Sequence, residues 1–230
     1  MKTCSECYSP IMRTRDDWLQ ILEDVRGGHL HAGPLAATFD SSIEFVERLA
    51  SHGMLREHDR VLDLGCGNGR IAIALAEKSI SYVGLDVIKE SVDFCRKAFE
   101  PYGFAFYHLD VRNPFYNPSG SLEPTDVRLP FPDASFDLVI AESLFTHLER
   151  PAACWRYVSE VRRILKPDGR FFSSWFCDPP NAVHRGADRT VLPREDIQAM
   201  LHHFTILRHW GGETTGFHDQ WKVEAMLSPV

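Results

Sequence analysis

The chain has 230 residues, a formal net charge of −7, 44% hydrophobic residues and 25% charged residues. These values are those of one globular α/β domain of normal size, and the acidic balance disfavours nucleic acid as the main partner, because proteins that bind a phosphate backbone usually carry a basic stripe. No apolar stretch reaches the ~18 residues of a transmembrane helix, and residues 1–7 lack the apolar core of a signal peptide, so we expect a cytoplasmic protein without a membrane partner.

The N-terminal segment, residues 1–40, contains the first predicted helix. Apolar residues recur at helical spacing over 16–25, and a second helix is predicted from about 35 to 51, where it packs against a sheet. Cys4 and Cys7 form a C-x-x-C pair. Because no second pair stands at zinc-site spacing, four ligands are not evident. His29 and His31 could complete a site with the two cysteines, but no metal site is predicted.

The most informative stretch is 61–70, Val-Leu-Asp-Leu-Gly-Cys-Gly-Asn-Gly-Arg. An apolar run with an acid, Asp63, breaks into three alternating glycines, and a helical pattern follows over 69–77. This order predicts a strand, a tight turn and a helix. Glycine lets the backbone take positive φ and removes Cβ atoms, so a ligand can lie against the main chain. The N-terminus of the following helix favours a carboxylate or a phosphate there.

Two further predicted strands end in acids. The strand over 81–86 ends in Asp86, and the strand over 104–109 is followed by Asp110, with a helix over 89–99 between them. An acid at the end of the second strand of a β-α-β unit is placed to hydrogen-bond two ribose hydroxyls. The dinucleotide fingerprint G-x-G-x-x-G is the rival interpretation, but this chain has G-x-G-x-G instead.

A long segment without helical period, residues 112–131, interrupts the alternation of strands and helices. It is rich in proline and contains the aromatic residues Phe115 and Tyr116. A loop of this length inside a compact domain is uncommon and is usually functional. Because it follows the third strand at the edge where the acids meet, we expect this insertion to shape a pocket.

The remaining predicted elements are strand 136–142, helix 151–165, strand 170–177, helix 193–203 and two strands over about 204–210 and 219–227. Glycines between the last two strands allow them to pair as an antiparallel hairpin at the edge of the sheet.

These motifs together carry a resemblance to a known family. The runs D-L-G-C-G-N-G-R, G-L-D, L-D-V and F-D-L-V-I-A-E-S resemble the class I S-adenosylmethionine-dependent methyltransferases over roughly residues 40–228. The resemblance implies a Rossmann-like, doubly wound α/β sheet of seven strands, mostly parallel with an antiparallel C-terminal strand, and helices on both faces. It implies one methyltransferase domain over 41–230, with the helix at 16–25 as a lid, and S-adenosylmethionine as the cofactor, with S-adenosylhomocysteine as its product.

The same resemblance implies roles for ten residues around the cofactor. Those expected beside its methionine half are Asp63, Gly65, Cys66 and Gly67. Those expected beside the ribose and the adenine are Asp86, Val87, Asp110 and Val111, of which Asp86 holds the ribose and Asp110 accepts from the adenine amino group. Those expected between the cofactor and the substrate pocket are Glu142 and Ser143.

Methyl transfer to a hydroxyl calls for a base that takes its proton. His147, just past the fourth strand, and His218, between the last two strands, are the candidate catalytic residues. We therefore expect methylation of a small-molecule acceptor, first of all a hydroxyl of a sugar or secondary metabolite. A small-molecule N-methyltransferase and a catalytically silent cofactor-binding partner subunit remain as alternatives, because every motif considered is a binding motif.

Overall fold

The structure, a computed structural model, describes residues 14–24, 35–76, 78–178, 190–211 and 221–227. The helices in these ranges are α1 (Arg15–Asp24), α2 (Leu35–Ser51), α3 (Arg70–Leu75), α4 (Lys89–Phe99), α5 (Pro151–Ile164) and α6 (Arg194–Met200). The strands are β1 (Arg60–Leu64), β2 (Ser81–Asp86), β3 (Ala105–His108), β4 (Phe136–Ala141), β5 (Leu165–Asp178), β6 (Val191–Pro193), β7 (Phe204–Trp210) and β8 (Trp221–Leu227). Two short 3-10 helices cover Glu100–Tyr102 and Phe145–His147.

The strands form one sheet in the order β3-β2-β1-β4-β5-β8-β7, and β6 pairs with β5 beside this path. Neighbouring strands from β3 to β5 are parallel, whereas β8 is antiparallel to both β5 and β7. The predicted mostly parallel sheet and its closing antiparallel hairpin are therefore confirmed. The predicted count of seven strands lacked β6, a three-residue strand that ends in Pro193, where a helix was predicted to begin.

The sheet is covered on both faces, as a doubly wound fold requires. One apolar cluster joins the sheet to α5 and α6, and a second joins it to α1, α2, α3 and α4. The central strands explain this arrangement, because their residues are buried along almost their whole length. A strand with both faces covered is apolar throughout and does not alternate.

The boundaries of several elements differ from those predicted, and those of α3 and β5 have a visible cause. Helix α3 begins at Arg70 because Gly69 caps it with a φ of 80°. Strand β5 also covers 166–169, which lie between the predicted helix 151–165 and the predicted strand 170–177. In this stretch Asp168 has a φ of 59° and the pairing with β4 shifts register, so the longer strand is irregular there.

The two N-terminal helices pack against the body of the fold. Trp18 of α1 is 3% exposed and stacks on Phe99 and Tyr102, with ring centroids 5.3 and 5.6 Å away. Phe45 of α2 lies 4.9 Å from Phe172 of β5, ring to ring, so α2 packs on the sheet as predicted. The predicted domain boundary at residue 40 falls inside α2. No described helix is both long and apolar enough to cross a membrane.

Candidate active site

A cavity of about 310 Å³ opens at the carboxyl edge of the sheet. It lies where β1 and β4 are neighbours, the point at which the strand order reverses. Ligands of open α/β sheets bind at this topological switch point. The residues predicted for the site that line this cavity are Asp63, Gly65, Cys66, Gly67, Asp86, Val87, Val111, Glu142, Ser143 and His147.

The glycine turn between β1 and α3 forms one wall of the cavity. Gly65, Gly67 and Gly69 have φ values of 87°, 52° and 80°, which other residues rarely adopt. The backbone N–H groups of Gly65 and Cys66 both donate to the carbonyl of Leu85, at 2.8 and 3.1 Å. The turn is thereby held against the end of β2, and Gly65 and Gly67 line the cavity without Cβ atoms, whereas Gly69 lies against Phe99 and Cys95.

Asp86 holds this turn from the neighbouring strand. It is 8% exposed, and its Oδ2 accepts from the backbone N–H of Gly67 at 2.7 Å. Its Oδ1 accepts from the N–H of Ile88 at 2.8 Å. Burial raises the pKa of Asp86 above its ordinary value, while these two N–H groups lower it. Each carboxylate oxygen retains further acceptor capacity, so the side chain can serve both the turn and a ligand.

Asp63 contributes a second buried carboxyl group to the wall. It is 2% exposed and accepts a hydrogen bond from the Tyr82 hydroxyl at 2.7 Å. Burial raises its pKa from 3.8 to about 7, against the opposite effects of the Tyr82 hydrogen bond and the charge of Arg70. A desolvated carboxyl group beside a cavity favours a cationic ligand, because a positive charge there restores the stabilisation that water would give.

Two residues just past β4 complete this end of the cavity. Glu142 pairs with Arg70 and, more loosely, with Lys222 of β8, whose Nζ lies 3.5 Å from Oε1. Ser143 has a φ of 64°, and its backbone N–H donates to Ser174 Oγ at 2.7 Å. The cavity wall here is a strained turn fixed by a neighbouring strand and an ion pair.

His147 ends the short 3-10 helix that follows and also lines the cavity. Its ring meets the ring of Tyr116 edge to face, with centroids 5.4 Å apart. Asn113 joins the two segments, because its Nδ2 donates to the His147 carbonyl at 3.0 Å while its Oδ1 accepts from the N–H groups of Phe115 and Tyr116. The other candidate base, His218, lies outside the described residues.

Asp110 does not line the cavity. Its carboxylate accepts from Asn117 Nδ2 at 3.0 Å and from Ser121 Oγ at 2.6 Å, and these hydrogen bonds lower its pKa. The side chain therefore ties the base of the insertion, while its neighbour Val111, 2% exposed, lies on the wall. The assignment of Asp110 to the adenine amino group stays a prediction.

The insertion has two structurally different parts. Its first part supplies Arg112, Asn113, Tyr116 and Pro124 to the cavity wall. The side chains of its second part that enter the core are Val127, Leu129 and Phe131. By contrast, none of the described residues of α1 lines the cavity, so the role of that helix as a lid stays a prediction without support from the wall.

The wall also includes residues that sequence reasoning did not name individually, among them Arg70, Arg112, Asn113 and Tyr157. Arg70 follows the glycine turn directly in the sequence, so its position beside the cavity could have been predicted. Asn113 stands before Pro-Phe-Tyr, and asparagine commonly hydrogen-bonds the backbone two residues on. Tyr157 reaches the wall from the middle of α5, which no local pattern indicates.

Comparison with known proteins identifies the family. Residues 62–173 match the sequence model of a methyltransferase domain. An uncharacterised methyltransferase of Synechocystis is 31% identical over 162 residues, which are 65% of this chain and 68% of that protein. The chain belongs to the class I S-adenosylmethionine-dependent methyltransferases.

One further relative and one solved structure fit this methyltransferase assignment. The 27-O-demethylrifamycin SV methyltransferase of Amycolatopsis mediterranei is 32% identical over 179 residues, 75% of this chain, and the chain spans 60% of that relative's length. The magnesium protoporphyrin IX methyltransferase of Synechocystis, solved with S-adenosylmethionine bound, covers 92% of this chain and 91% of its own, with a TM-score of 0.61 and 16% identity. At this identity, the solved structure shows that the two proteins share a fold.

The cavity of this methyltransferase fits S-adenosylmethionine, its cofactor. The positive-φ glycines leave room for close backbone approach, and the buried Asp63 suits the positive charges of the cofactor's ammonium and sulfonium groups. Asp86 offers carboxylate oxygens to hydroxyl donors, and Val87 and Val111 give apolar surface beside it. The volume lies at the lower end of the range for small-molecule pockets, about 300–1,000 Å³.

We expect Asp86→Ala to weaken S-adenosylhomocysteine binding by at least about tenfold, because hydrogen bonds to a charged group are worth ~1.5–3 kcal/mol each. The variant also frees the N–H groups of Gly67 and Ile88, which Asp86 holds. Isothermal titration calorimetry measures the affinity. Asp86→Asn keeps an acceptor oxygen and should lose less. Unchanged affinity in the alanine variant would remove Asp86 from the ribose site.

Asp63 should make the cofactor-free protein less stable as the pH rises. Its pKa is raised from 3.8 to about 7 in the folded state, so between these values the folded chain binds more protons than the unfolded chain. Stability from this group is fully present below the unfolded pKa and is lost as pH rises through the folded one. Asp63→Asn removes this dependence. The free energy of unfolding in urea is measured for both proteins at pH of about 5.5 and about 8, and we expect the variant to gain stability relative to the wild type at the higher pH. Parallel pH profiles of the two proteins would contradict the assignment.

Proposed function

We propose that this protein transfers the methyl group of S-adenosylmethionine to a hydroxyl oxygen of a small-molecule acceptor, a sugar or a secondary metabolite. The observation that carries the proposal is the continuity of one cavity, in which the cofactor-binding turn and the paired rings of Tyr116 and His147 share the same wall. A site of this kind brings the reacting groups together and places an imidazole beside them.

Little chemistry is asked of the protein itself. S-adenosylmethionine, when bound, supplies a methyl group on a positively charged sulfonium. This methyl group is already activated, because the thioether that leaves is neutral. The chain must hold the acceptor oxygen in line with that methyl group, and positioning of this kind lowers barriers by several kcal/mol, roughly 7–11 at best. The hydroxyl proton goes to a base, and the imidazole of His147 is the described side chain on the wall suited to accept it.

A small acceptor is favoured by the shape and chemistry of the wall. Its apolar members come from many segments of the chain and include Leu64, Leu85, Leu109, Leu148 and Tyr157. The insertion closes one side of the cavity, and the protein carries a net charge of −7, which disfavours a phosphate backbone as substrate. Oxygen as the methylated atom is supported by the rifamycin relative, whose name places its methyl group on an oxygen.

Product analysis with isotope-labelled S-adenosylmethionine tests the proposal. The purified protein is incubated with matched pairs of acceptors that differ only in a hydroxyl or an amine, and products are identified by mass spectrometry. We expect labelled methyl ethers, and we expect His147→Gln to keep S-adenosylhomocysteine affinity while losing turnover. Labelled methylamines alone would support N-methylation instead. Cofactor binding without turnover of any hydroxyl or amine would support a silent partner subunit.

A further inference from the structure

Charged side chains of both signs line the cavity wall. The described residues that line it include the carboxyl groups of Asp63, Asp86 and Glu142 and the guanidinium groups of Arg70 and Arg112. The methionine end of the cofactor carries an ammonium group and a carboxylate at neutral pH. Asp63 suits the ammonium group, so the carboxylate needs a cation on the same side of the cavity.

Arg70 stands on that side. It is the first residue of α3, directly after the glycine turn, and it lines the cavity together with Asp63, which precedes the turn. Arg112 follows Val111 past β3 and is already paired with Glu123 at 2.9 Å and with Glu149 at 3.3 Å. Its position is on the side of the cavity expected to hold the adenine.

Glu142, which pairs with Arg70, is also approached by a second cation, Lys222. Glu142 is only 9% exposed at its side chain; Arg70 contacts its Oε2, and Lys222 approaches its Oε1 at 3.5 Å. Because the two cations use different oxygens, Arg70 can leave while Lys222 still compensates the buried charge of Glu142. A buried carboxylate that lost every partner would be costly, and this arrangement avoids that cost.

We propose that Arg70 binds the carboxylate of the cofactor's methionine moiety, exchanging Glu142 for it, and that Lys222 keeps Glu142 neutralised during the exchange. A guanidinium group matches a carboxylate with two parallel hydrogen bonds, which a lysine cannot reproduce. The inference rests on the cofactor assignment and does not depend on which acceptor is methylated.

Two ligands that differ only in the amino acid part test this directly. S-adenosylhomocysteine and 5′-methylthioadenosine share the adenosine and the thioether, but the second lacks the ammonium group and the carboxylate. In calorimetry, Arg70→Ala should weaken S-adenosylhomocysteine by about tenfold or more and change 5′-methylthioadenosine by less than about twofold. Arg70→Lys should fall between the wild type and Arg70→Ala for the first ligand.

A matched control separates this effect from the loss of an arginine–glutamate pair in general. Arg208 of β7 pairs with the buried Glu224 at 3.4 Å and is not part of the cavity wall. Arg208→Ala should leave the ratio of the two affinities as in the wild type. Binding of 5′-methylthioadenosine also reports that each variant is folded around an intact turn.

Four results would overturn the inference. Equal weakening of both ligands by Arg70→Ala and Arg70→Lys would make Arg70 a support of the turn, and unchanged affinity for both would remove it from the site. A loss of S-adenosylhomocysteine affinity in Glu142→Gln as large as in Arg70→Ala would contradict the exchange. A wild-type protein that binds neither ligand would instead overturn the cofactor assignment itself, and this inference with it.

Discussion

Gly65→Val is expected to weaken S-adenosylhomocysteine binding by at least about a hundredfold, ~2.7 kcal/mol or more. Gly65 lies on the cavity wall with a φ of 87°, a region that a β-branched residue adopts only under strain. A Cβ there would lie 3.5 Å from the Leu144 side chain, an ordinary contact. The loss therefore comes from the altered turn and from side-chain atoms between backbone and cofactor, not from a clash with the core.

The chain offers a close control for this variant. Gly53, in the turn after α2, also has positive φ, 72°, and a Cβ there meets nothing within 4 Å. Gly53→Val carries the same kind of backbone strain, of order 1–3 kcal/mol, away from the cavity. Both variants should unfold at a lower urea concentration than the wild type, because this strain is a sizeable part of the roughly 5–15 kcal/mol that stabilises a typical domain. Only Gly65→Val should lose affinity for the ligand.

Calorimetry with both variants decides the point. If Gly65→Val retained wild-type affinity, the turn would not contact the cofactor, whatever its backbone geometry. If Gly53→Val lost affinity to the same degree, the effect would be one of general stability.

Local sequence predicted the parts of the site that local geometry creates. The turn needs glycine because of its positive φ, and the acid at the end of β2 is reached by counting along one β-α-β unit. The register of the parallel strands then brings Asp63 opposite Gly84 and Asp86 opposite His108. Such features depend on the order of elements, which apolar periodicity reveals.

The parts that sequence did not predict depend on contacts between distant segments. Asn113 reaches His147, 34 residues away, and Lys222 reaches Glu142 from β8. Aromatic residues show the same limit: Tyr116 lies on the wall, whereas Trp175 is 1% exposed and stacks on Phe145 in the core. No local pattern distinguishes these two kinds of aromatic residue.

The insertion at 112–131 is a segment whose role the sequence predicted only in part. Its length and prolines predicted a pocket-forming loop, and the first part of 112–131 has that role. The second part is core: Val127 and Leu129 are 0% and 1% exposed. The N–H of Leu129 donates to Glu160 at 2.8 Å, so the backbone of this part is held by α5 as well. Removal of the whole insertion should therefore unfold the protein, and a test of the pocket must leave the second part in place.

Replacement of 114–120 by two glycines isolates the pocket-forming part. It keeps Asn113 and the core residues beyond 124 but removes Tyr116 and the tip of the loop. We expect S-adenosylhomocysteine affinity to stay within about threefold, ~0.65 kcal/mol, because Asp63 and Asp86 are untouched. We expect kcat/KM for any methylated acceptor to fall by at least about a hundredfold, the usual result when a reacting group is misplaced by about 1 Å.

Tyr116→Ala is the smaller companion of this deletion, because it removes one wall residue and keeps the loop. Its kcat/KM should lie between that of the wild type and that of the shortened chain. An unchanged melting temperature in both proteins would show that the core half of the insertion is intact. Full acceptor turnover in the shortened protein, with the cofactor still bound, would separate the insertion from the acceptor, and the pocket would then have to be formed on the opposite side of the cavity, around Glu142 and Lys222. Loss of cofactor affinity together with turnover would instead place the tip of the insertion on the cofactor itself.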